Sequence, residues 1–381
     1  MTFVVTLKDA ADAGAVGGKA ASLGELARAG VAVPPGFTVT TEAFTAAMTA
    51  VDADGALRAG IEVLPAADVA EIARVAARFR GIVTGAPLPA GVAAAIEAGY
   101  AALAAALEDS SDQGAGIDVA VRSSATVEDS AEASFAGLQD TYLGVSGADS
   151  VLEHVRRCWA SLYNDESVAY RRRLGLPEAG VAMAVVVQHM VAPRAAGVMF
   201  TRSPVTGDRS VVAIEGTWGL GSALVSGDVT PDSWVISKIT GEITGRRVSP
   251  KVKIHRYVPN GSAASPASTP SSSAGEAGLA GDPGGARVTV TDTPADLRDA
   301  PSLNDDEIRA LAAVARRVEA HYGAPQDIEW ALLDGEGEAD ARIVLLQSRP
   351  ETVWAARDPK PAGAPKPRAA DHVLALFGKP L

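Results

Sequence analysis

Residues 327–349 read DIEWALLDGEGEADARIVLLQSR, and this stretch decides the fold prediction. Two apolar runs flank a segment rich in Gly, Asp and Glu, a pattern typical of a β-hairpin. Side chains alternate between the two faces of a strand, so Asp327 and Glu329 share one face. For the same reason Gln347 and Arg349 share a face of the return strand. The sequence therefore predicts polar side chains gathered on one side of a hairpin whose other side is apolar.

The predicted hairpin is a candidate magnesium site. If it closes near Gly337, Asp327 lies roughly opposite Gln347, and two carboxylates, an amide oxygen and a guanidinium meet on one patch. Mg²⁺ prefers hard oxygen ligands and commonly takes few of them from protein when it also binds substrate phosphates. An arginine can bind phosphate oxygens through a bidentate fork. An ordinary surface salt bridge on an edge hairpin explains the same residues equally well.

A second polar cluster follows a short apolar strand predicted at 118–122. That strand ends in the polar run RSSAT at 122–126, and SFAG follows at 134–137. An arginine that leaves a buried strand, followed by hydroxyls and small residues, suits a triphosphate bound by a cation and by backbone N–H groups. The alternative is a capped helix start at 123–128.

The third candidate is Gly17-Gly18-Lys19, at a predicted helix start. It is not a Walker A loop, because Ala13 and Ala20 stand where that motif requires Gly and Ser or Thr. Lys19 can still donate to phosphates, assisted by the amides of the helix N-terminus. A simple turn is the alternative interpretation of this segment.

Composition excludes several classes of protein. The net charge of −12 disfavours nucleic acid as a partner, because an acidic surface repels a phosphate backbone. The single cysteine, Cys158, has helical spacing to apolar neighbours and is predicted to be a core residue. Residues 1–10 lack a secretory signal, and the apolar run 181–187 is too short to cross a membrane. We therefore expect a soluble, cytoplasmic protein.

The pattern along the chain predicts two subdomains. Helical periodicity dominates before Val181, whereas short strands separated by Gly and Pro turns follow it, which places a boundary close to Gln188. We assign 1–187 to a first subdomain and 188–356 to a second. Residues 258–287, rich in Ser, Pro, Ala and Gly, are predicted to be a flexible surface insertion, and the Pro-rich residues 357–381 a linker.

Taken in order, several stretches closely resemble the N-terminal nucleotide-binding region of the phosphoenolpyruvate synthase, pyruvate phosphate dikinase and rifampicin phosphotransferase family. They cover nearly the whole span 17–352 and are specific as a set. The matching stretches are GGKAASLGEL (17–26), VPPGFTVTTEAF (33–44), AVRSSATVEDSAEASFAGLQDTYL (120–143), VVVQHMVAPRAAGVMFTRSPVTG (185–207), GTWGLGSALVSGDVTPD (216–232), QDIEWALL (326–333) and VLLQSRPET (344–352).

The resemblance implies an α+β fold of the ATP-grasp type, in which two subdomains clamp ATP and Mg²⁺. Carried over by position, Glu329 and Gln347 are Mg²⁺ ligands, and Asp327 supports that site. Lys19 and Arg122 hold phosphates.

The resemblance also assigns the remaining contacts. Arg349 stabilises the transferring phosphoryl group and completes the catalytic set with Lys19 and Arg122. The linker between the subdomains contacts adenine through Gln188, His189, Met190 and Val191. The loop that closes over the phosphates is formed by Ser134, Phe135, Ala136 and Gly137.

Two departures from the family pattern bear on the site. Family members often read GLGE where this chain ends in Ser222, which puts one acidic contact near the nucleotide in doubt. Ser203 stands where the family has Asp before Pro, a change expected to be minor. The SFAG form of the phosphate loop resembles the synthases, which favours cleavage of ATP to AMP and Pi with capture of the β-phosphate.

The family passes phosphate through a histidine in a Thr-Ser-His-like motif, and no histidine of this chain has that context. The five candidates that fail are His154, His189, His255, His321 and His372. We therefore expect the phosphorylatable histidine and the acceptor-binding domain on a separate protein or domain. An adenine-nucleotide-sensing module without turnover and an ATP-grasp ligase are the alternatives. The final acceptor stays open among pyruvate, a phenol and an antibiotic hydroxyl.

Overall fold

The fold is that of a computed structural model, which describes residues 2–66, 68–108, 117–126, 129–130, 133–134, 140–178, 180–258 and 287–355. Residues 259–286 of the predicted insertion and the predicted linker 357–381 lie outside the described residues.

The described helices, in chain order, are α1 (Ala13–Arg28), α2 (Thr41–Val51), α3 (Ala56–Glu62), α4 (Val69–Gly85), α5 (Ala90–Glu108), α6 (Ala148–Ser161), α7 (Asp165–Leu174), α8 (Ser222–Val225), α9 (Ala295–Arg298), α10 (Asp305–Tyr322) and α11 (Ala339–Arg342). A short 3-10 turn, Leu7–Asp9, precedes α1.

The described strands are β1 (Val4–Thr6), β2 (Gly36–Val39), β3 (Asp118–Ala125), β4 (Asp129–Ser130), β5 (Ala133–Ser134), β6 (Thr141–Ser146), β7 (Met183–His189), β8 (Pro193–Phe200), β9 (Val211–Trp218), β10 (Asp232–Ser237), β11 (Ile243–Arg247), β12 (Lys253–Val258), β13 (Arg287–Asp292), β14 (Gln326–Leu333) and β15 (Ile343–Pro350). Helices and antiparallel sheets are mixed, so the chain is of the α+β class that the sequence predicts.

The first sheet has five strands in the order β1-β2-β7-β3-β6, all paired antiparallel. Its strand β7 lies between β2 and β3 and is buried through most of its length, which accounts for its run of valines. The helix α4 packs against α6 and α7, and its Ile72, Ala76, Phe79 and Val83, which recur at helical spacing, are buried in the core on this side of the sheet. This sheet contributes the strand β3 that carries Arg122.

The second sheet has six strands in the order β11-β10-β9-β8-β14-β15. The helix α10 packs its buried Leu311 and Ala315 into the core beneath Trp234 and Trp330. Asn304 forms a capping box at its start, and Gly323 ends it with a φ of 65°, so both predicted ends of this helix are confirmed. The core takes one face of the sheet and leaves the opposite face for polar side chains.

The hairpin register differs from the prediction by two residues. Asp327 pairs with Arg349, and Glu329 pairs with Gln347, so the predicted pairing of Asp327 with Gln347 is wrong. The connection contains the helical turn α11, which moves the centre of the hairpin, and the register also shifts at a bulge between Glu329 and Trp330. The displacement is an even number of residues, so the predicted sharing of faces is unaffected.

The strand β3 is longer than the sequence suggests. It was predicted to end at Arg122 but continues to Ala125, in register with β7 throughout. A helix start at residues 123–128 is therefore wrong: Ser123 and Ser124 donate and accept in a sheet ladder that holds the backbone extended. The two serines are buried, not set in a solvent-exposed cap.

By length and composition, one described helix, Ala90–Leu107, is apolar enough to cross a membrane. A search for uninterrupted apolar runs misses it, because Glu97 lies in its middle. The helix instead packs Val92, Ile96 and Tyr100 into the core of the first sheet. Most of its exposed positions are alanines, which raise mean hydropathy while offering little apolar surface.

Candidate active site

Arg122 joins the two sheets at the centre of the candidate site. Its Nη2 donates to Glu329 Oε2 at 2.7 Å and to Gln347 Oε1 at 3.1 Å, and its Nη1 donates to the carbonyl of Leu346 at 2.6 Å. The guanidinium side chain is only 12% exposed, whereas that of Glu329 is 37% exposed. Two clusters that the sequence predicts separately, one for phosphate and one for metal, are thus in direct contact.

A β-bulge at Leu346 explains how the return strand serves both core and site. Leu345 pairs with Trp330 and is fully buried, yet Gln347, two residues on, pairs with Glu329 on the opposite face. In a regular strand, residues two apart point to the same face. The extra residue at the bulge therefore turns Gln347 toward Glu329 and Arg122. The carbonyl of the intervening Leu346 accepts from Arg122.

Arg349 and Asp327 form the outer part of the polar face. Arg349 Nε lies 3.4 Å from Asp327 Oδ2. Burial raises the pKa of Asp327 to about 6, against the opposing attraction of Arg349 and with a further upward contribution from the charge of Glu351. Asp327 is therefore mostly ionised at pH 7 and keeps its capacity to support a cation.

The electrostatics at Glu329 favour its ionised form. Burial by itself raises the pKa of this carboxyl, but the charge and hydrogen bond of Arg122, with the charges of Lys19 and Arg349, outweigh it and lower the pKa. Arg122 of the first sheet, Arg349 of the second sheet and Lys19 of α1 thus all act on one carboxylate. This concentration of positive charge suits a polyphosphate, whose charge the cations would share.

Lys19 lies beneath this cluster and is buried. Its Nζ donates to the carbonyl of Ser123 at 2.6 Å. The helix α1 is broken just before it: Gly17 has a φ of 75°, and a Cβ there would lie 2.0 Å from the carbonyl oxygen of Ser124. Regular helix resumes after the break, which confirms the predicted helix start and places Lys19 in its first turn. Ser124 spans the break, because its Oγ donates to the Val16 carbonyl and accepts from the amide of Ala20.

The segment that connects the two sheets contains the residues predicted to contact adenine. Gln188 is buried, and its Nε2 donates to the Pro34 carbonyl at 3.1 Å. The amide of Met190 donates to the carbonyl of Asp118 at 2.9 Å, and Val191 follows, half-buried, before β8 begins. Met190 also packs with Ala120 of β3 and with Leu220 of the turn that follows β9.

The predicted phosphate loop is described only in part. Ser134 ends the short strand β5, which pairs with β4. Phe135, Ala136 and Gly137 lie outside the described residues.

The donor set fits a single divalent cation. Within the described ranges, no group of three or more His, Cys, Asp and Glu side chains is placed to hold a metal. Glu329 and Gln347 nevertheless both reach one guanidinium nitrogen, so their oxygens already converge on a cationic centre. A carboxylate and an amide oxygen are ligands that Mg²⁺ accepts when phosphates and water supply the rest.

Residues 13–369 match the family model described as pyruvate phosphate dikinase, AMP/ATP-binding domain. The chain belongs to this family. It is 43% identical over 353 residues to a rifampicin phosphotransferase of a Streptomyces species, and 40% identical over 341 residues to a probable phosphoenolpyruvate synthase of Methanothermobacter thermautotrophicus. A phosphoenolpyruvate synthase of Aeropyrum pernix is 41% identical over 340 residues.

These matches cover 92%, 90% and 89% of this chain, respectively. They cover only 36%, 44% and 41% of the three relatives. The chain therefore spans less than half the length of the curated relatives it matches. The resemblance predicted from the sequence motifs is confirmed at the level of the family.

Ser222, the departure from the family's GLGE pattern, belongs to a hydrogen-bond chain that the sequence did not predict. Its Oγ lies 3.0 Å from His255 Nδ1, and His255 Nε2 lies 3.0 Å from Asp228 Oδ2. The imidazole is fully buried, and burial lowers the pKa of His255 against the opposing effect of Asp228. A neutral ring that donates to Asp228 accepts from Ser222, so these hydrogen bonds tie the GLGS turn (219–222) to β12.

The core position predicted for Cys158 is confirmed, and the structure also gives the contacts of two histidines and of Ser203. Cys158 is fully buried, and burial raises its pKa, which makes it a core residue with a protonated thiol. His321 Nε2 lies 2.9 Å from Glu25, and His154 Nδ1 lies 2.7 Å from the carbonyl of Ser150, so both are hydrogen-bonding residues. Ser203 accepts from Thr206 in a surface turn, consistent with a minor role for this departure from the family.

Proposed function

We propose that this chain binds ATP and Mg²⁺ between its two sheets and is the ATP-cleaving part of a phosphoenolpyruvate-synthase-like phosphotransferase. The observation that carries the proposal is the contact of Arg122, from the first sheet, with Glu329 and Gln347 of the second. In this proposal residues 1–187 and 188–356 act as two subdomains that clamp the nucleotide. Family membership and the names of the relatives agree with a phosphoryl-transfer role.

Glu329 and Gln347 would hold the metal. Asp327, two residues before Glu329 on the same face of β14, would support them. Bound there, Mg²⁺ would neutralise the charge of the β- and γ-phosphate oxygens. The hydrogen-bonding capacity of both side chains agrees with a metal site, because ionised Glu329 and the Gln347 carbonyl oxygen are acceptors only and face the same point. Lys19 contributes its positive charge from below through a fixed position at the Ser123 carbonyl.

Arg122 and Arg349 would bind the phosphates. Each guanidinium presents a planar fork of donors that matches phosphate oxygens, and Arg349, 38% exposed, is free to turn from Asp327 toward a substrate. Charge on the transferring phosphoryl group is spread over its equatorial oxygens, so fixed cations beside it lower the barrier. We assign Lys19, Arg122 and Arg349 to this role.

The base of the nucleotide would lie against the linker. Met190, Ala120 and Leu220 form an apolar surface between the sheets, which suits a flat, apolar ring. Gln188 and Val191 flank it, and Val191, which lies beyond the end of β7, would offer backbone groups for the adenine edge. The loop Ser134–Gly137 would close over the phosphates and exclude water.

The acceptor of the phosphoryl group would be a histidine on a separate protein or domain. Its nitrogen attacks the β-phosphorus, the bond to the α-phosphate oxygen breaks and AMP leaves. Water then attacks at the γ-phosphate, which departs as Pi and leaves the β-phosphate on the histidine. Three of the four described histidines agree with this view, because His154, His255 and His321 are each held by hydrogen bonds within the chain.

The test follows labelled ATP. We would incubate the chain with β-³²P- or γ-³²P-labelled ATP and Mg²⁺, with and without a candidate histidine-bearing protein, and measure AMP, Pi and acid-labile protein phosphate. We expect little AMP from the chain alone, since positioning of the nucleophile is most of what such sites supply. Label from the β position on the partner's histidine supports the proposal. Rapid release of ADP and Pi without a partner contradicts it and indicates a simple ATPase or a ligase.

A further inference from the structure

The two oxygens best placed to bind a metal are already bound by a cation. We infer that Arg122 acts as a resident cation in the nucleotide-free protein, and that it must leave Glu329 and Gln347 before these residues bind a divalent metal. This inference rests on the proposed function and concerns the order in which that site is filled. Arg122 would thereby couple metal binding to nucleotide binding.

The contacts leave no room for a metal alongside Arg122. One nitrogen, Nη2, lies 2.7 Å from Glu329 Oε2 and 3.1 Å from Gln347 Oε1, at the point where those two oxygens converge. A Mg²⁺ ion bound by the same oxygens requires contacts of about 2.0–2.1 Å and near-octahedral geometry. Two cations at that point would also repel each other strongly, because the guanidinium is largely buried.

Arg122 is held at this point from a third side. Its Nη1 donates to the Leu346 carbonyl, which the bulge in β15 presents toward β3. Hydrogen bonds that involve a charged group are stronger than those between neutral groups. The guanidinium is therefore seated by two neutral acceptors and one charged acceptor, and a metal alone offers it nothing in exchange.

A triphosphate changes that balance. Phosphate oxygens are acceptors that match the guanidinium fork, so Arg122 can move from the carboxylate to the nucleotide without losing a charge-assisted bond. Glu329 and Gln347 then become available as ligands for the metal that the nucleotide brings. Metal and nucleotide thus assist each other's binding, and by linkage the coupling is equal in both directions.

The test measures metal binding without nucleotide. The probe is Mn²⁺ alone, titrated into the full chain and followed by the electron paramagnetic resonance signal of free Mn²⁺. We compare the wild type with Arg122→Gln, which removes the charge, and Arg122→Lys, whose single ammonium cannot reproduce the three-way contact. The matched control is Arg80→Gln, which removes an arginine from a partly exposed 2.6 Å pair with Asp165.

We expect Arg122→Gln to bind Mn²⁺ on the order of tenfold more tightly than the wild type, because apparent affinity falls with the fraction of sites that are free to bind. Arg122→Lys should fall between the two, and Arg80→Gln should match the wild type. Adding Glu329→Gln to Arg122→Gln should abolish the gain. Equal or weaker Mn²⁺ binding by both Arg122 variants overturns the inference. If Arg122→Gln does not fold, as judged by thermal unfolding, Arg122→Lys decides by the same criterion.

Calorimetry with adenylyl imidodiphosphate and Mg²⁺ separates this inference from the proposed function. Nucleotide binding by the wild type, together with unchanged Mn²⁺ affinity in the variants, means that only the resident-cation inference is wrong. Absence of nucleotide binding by the wild type at millimolar concentration means that the proposed function is wrong.

Discussion

The hydroxyl of Tyr257 donates a 2.6 Å hydrogen bond to Asp118 Oδ2, at the opposite end of β3 from the site cluster. Asp118 and Arg122 are four residues apart and share a face of the strand, so their Cα atoms are separated by roughly 13 Å. Tyr257 lies on β12, whose hairpin with β13 bounds residues 259–286. One strand of the first sheet is thus attached at two positions to elements of the second half of the chain.

We expect Tyr257→Phe to lower both stability and nucleotide affinity. Loss of a hydrogen bond to a charged acceptor lowers the free energy of unfolding by about 1.5–3 kcal/mol. Without this bond, β3 and β12 are also held less firmly in position relative to each other. Urea unfolding and calorimetry with adenylyl imidodiphosphate measure the two effects. Tyr142→Phe is the matched control, because it removes a similar 2.8 Å bond to Asp140 within the first half of the chain. It should affect stability only; equal loss of affinity in both variants contradicts the prediction.

Glu329→Ala and Gln347→Ala should each reduce partner-dependent ATP cleavage by about 10²–10³-fold, the usual effect of removing one fixed polar contact to a transition state. The fold should survive, because both side chains lie on the face opposite the core. Circular dichroism and a steady-state assay of AMP formation test this. Asp340→Asn, which breaks an exposed pair with Arg317, serves as the control. Wild-type turnover in both site variants would show that the metal assignment is wrong.

Gly17→Ala should be strongly deleterious. The added Cβ would lie 2.0 Å from the Ser124 carbonyl oxygen, and the φ of 75° disfavours any side chain. Relief of the clash must move α1 away from β3, which displaces Lys19 from the site. The midpoint temperature of thermal unfolding and the affinity for ATP should both fall. The control Gly81→Ala lies in α4 with open space around it, and should raise stability by about 0.4–1 kcal/mol. A Gly17→Ala variant with wild-type stability and ATP affinity would refute the close approach of Gly17 to the Ser124 carbonyl.

Acid should destabilise the protein through His255. Burial lowers the pKa of this imidazole in the folded chain below its ordinary value of 6.5, against the opposing charge and hydrogen bond of Asp228. As pH falls through 6.5, the unfolded chain binds a proton that the folded chain does not, so the free energy of unfolding decreases. The pKa of His189 is also lowered by burial and adds to the effect.

His255→Gln should therefore lose less stability than the wild type between pH 7.5 and pH 5.5, whatever its stability at pH 7.5. Urea unfolding at both pH values gives the difference. The control Gly81→Ala, which alters no titratable group, should keep the wild-type pH dependence. An unchanged slope in His255→Gln would mean that this imidazole is not a buried neutral group.

Patterns that are local in the sequence predicted much of the fold. The ends of α10 followed from Asn304 and Gly323, because a cap and a left-handed stop are satisfied within one turn of helix. The shared face of Asp327 and Glu329 followed from strand alternation alone. The register could not be obtained in this way, because a bulge and a helical turn in the connection each change the pairing without changing the apolar pattern.

By itself the sequence determined the family, the class of fold and the residue types of the site, because the glycine turns, strand alternation and ordered motifs are each encoded within a few neighbouring residues. Only the tertiary structure decided that Arg122 contacts Glu329, 207 positions away in the chain, and that Ser222 is bonded to His255. Such contacts depend on how two sheets approach each other. Packing and side-chain geometry set that approach, and neither has a periodic signature that one segment of sequence can carry.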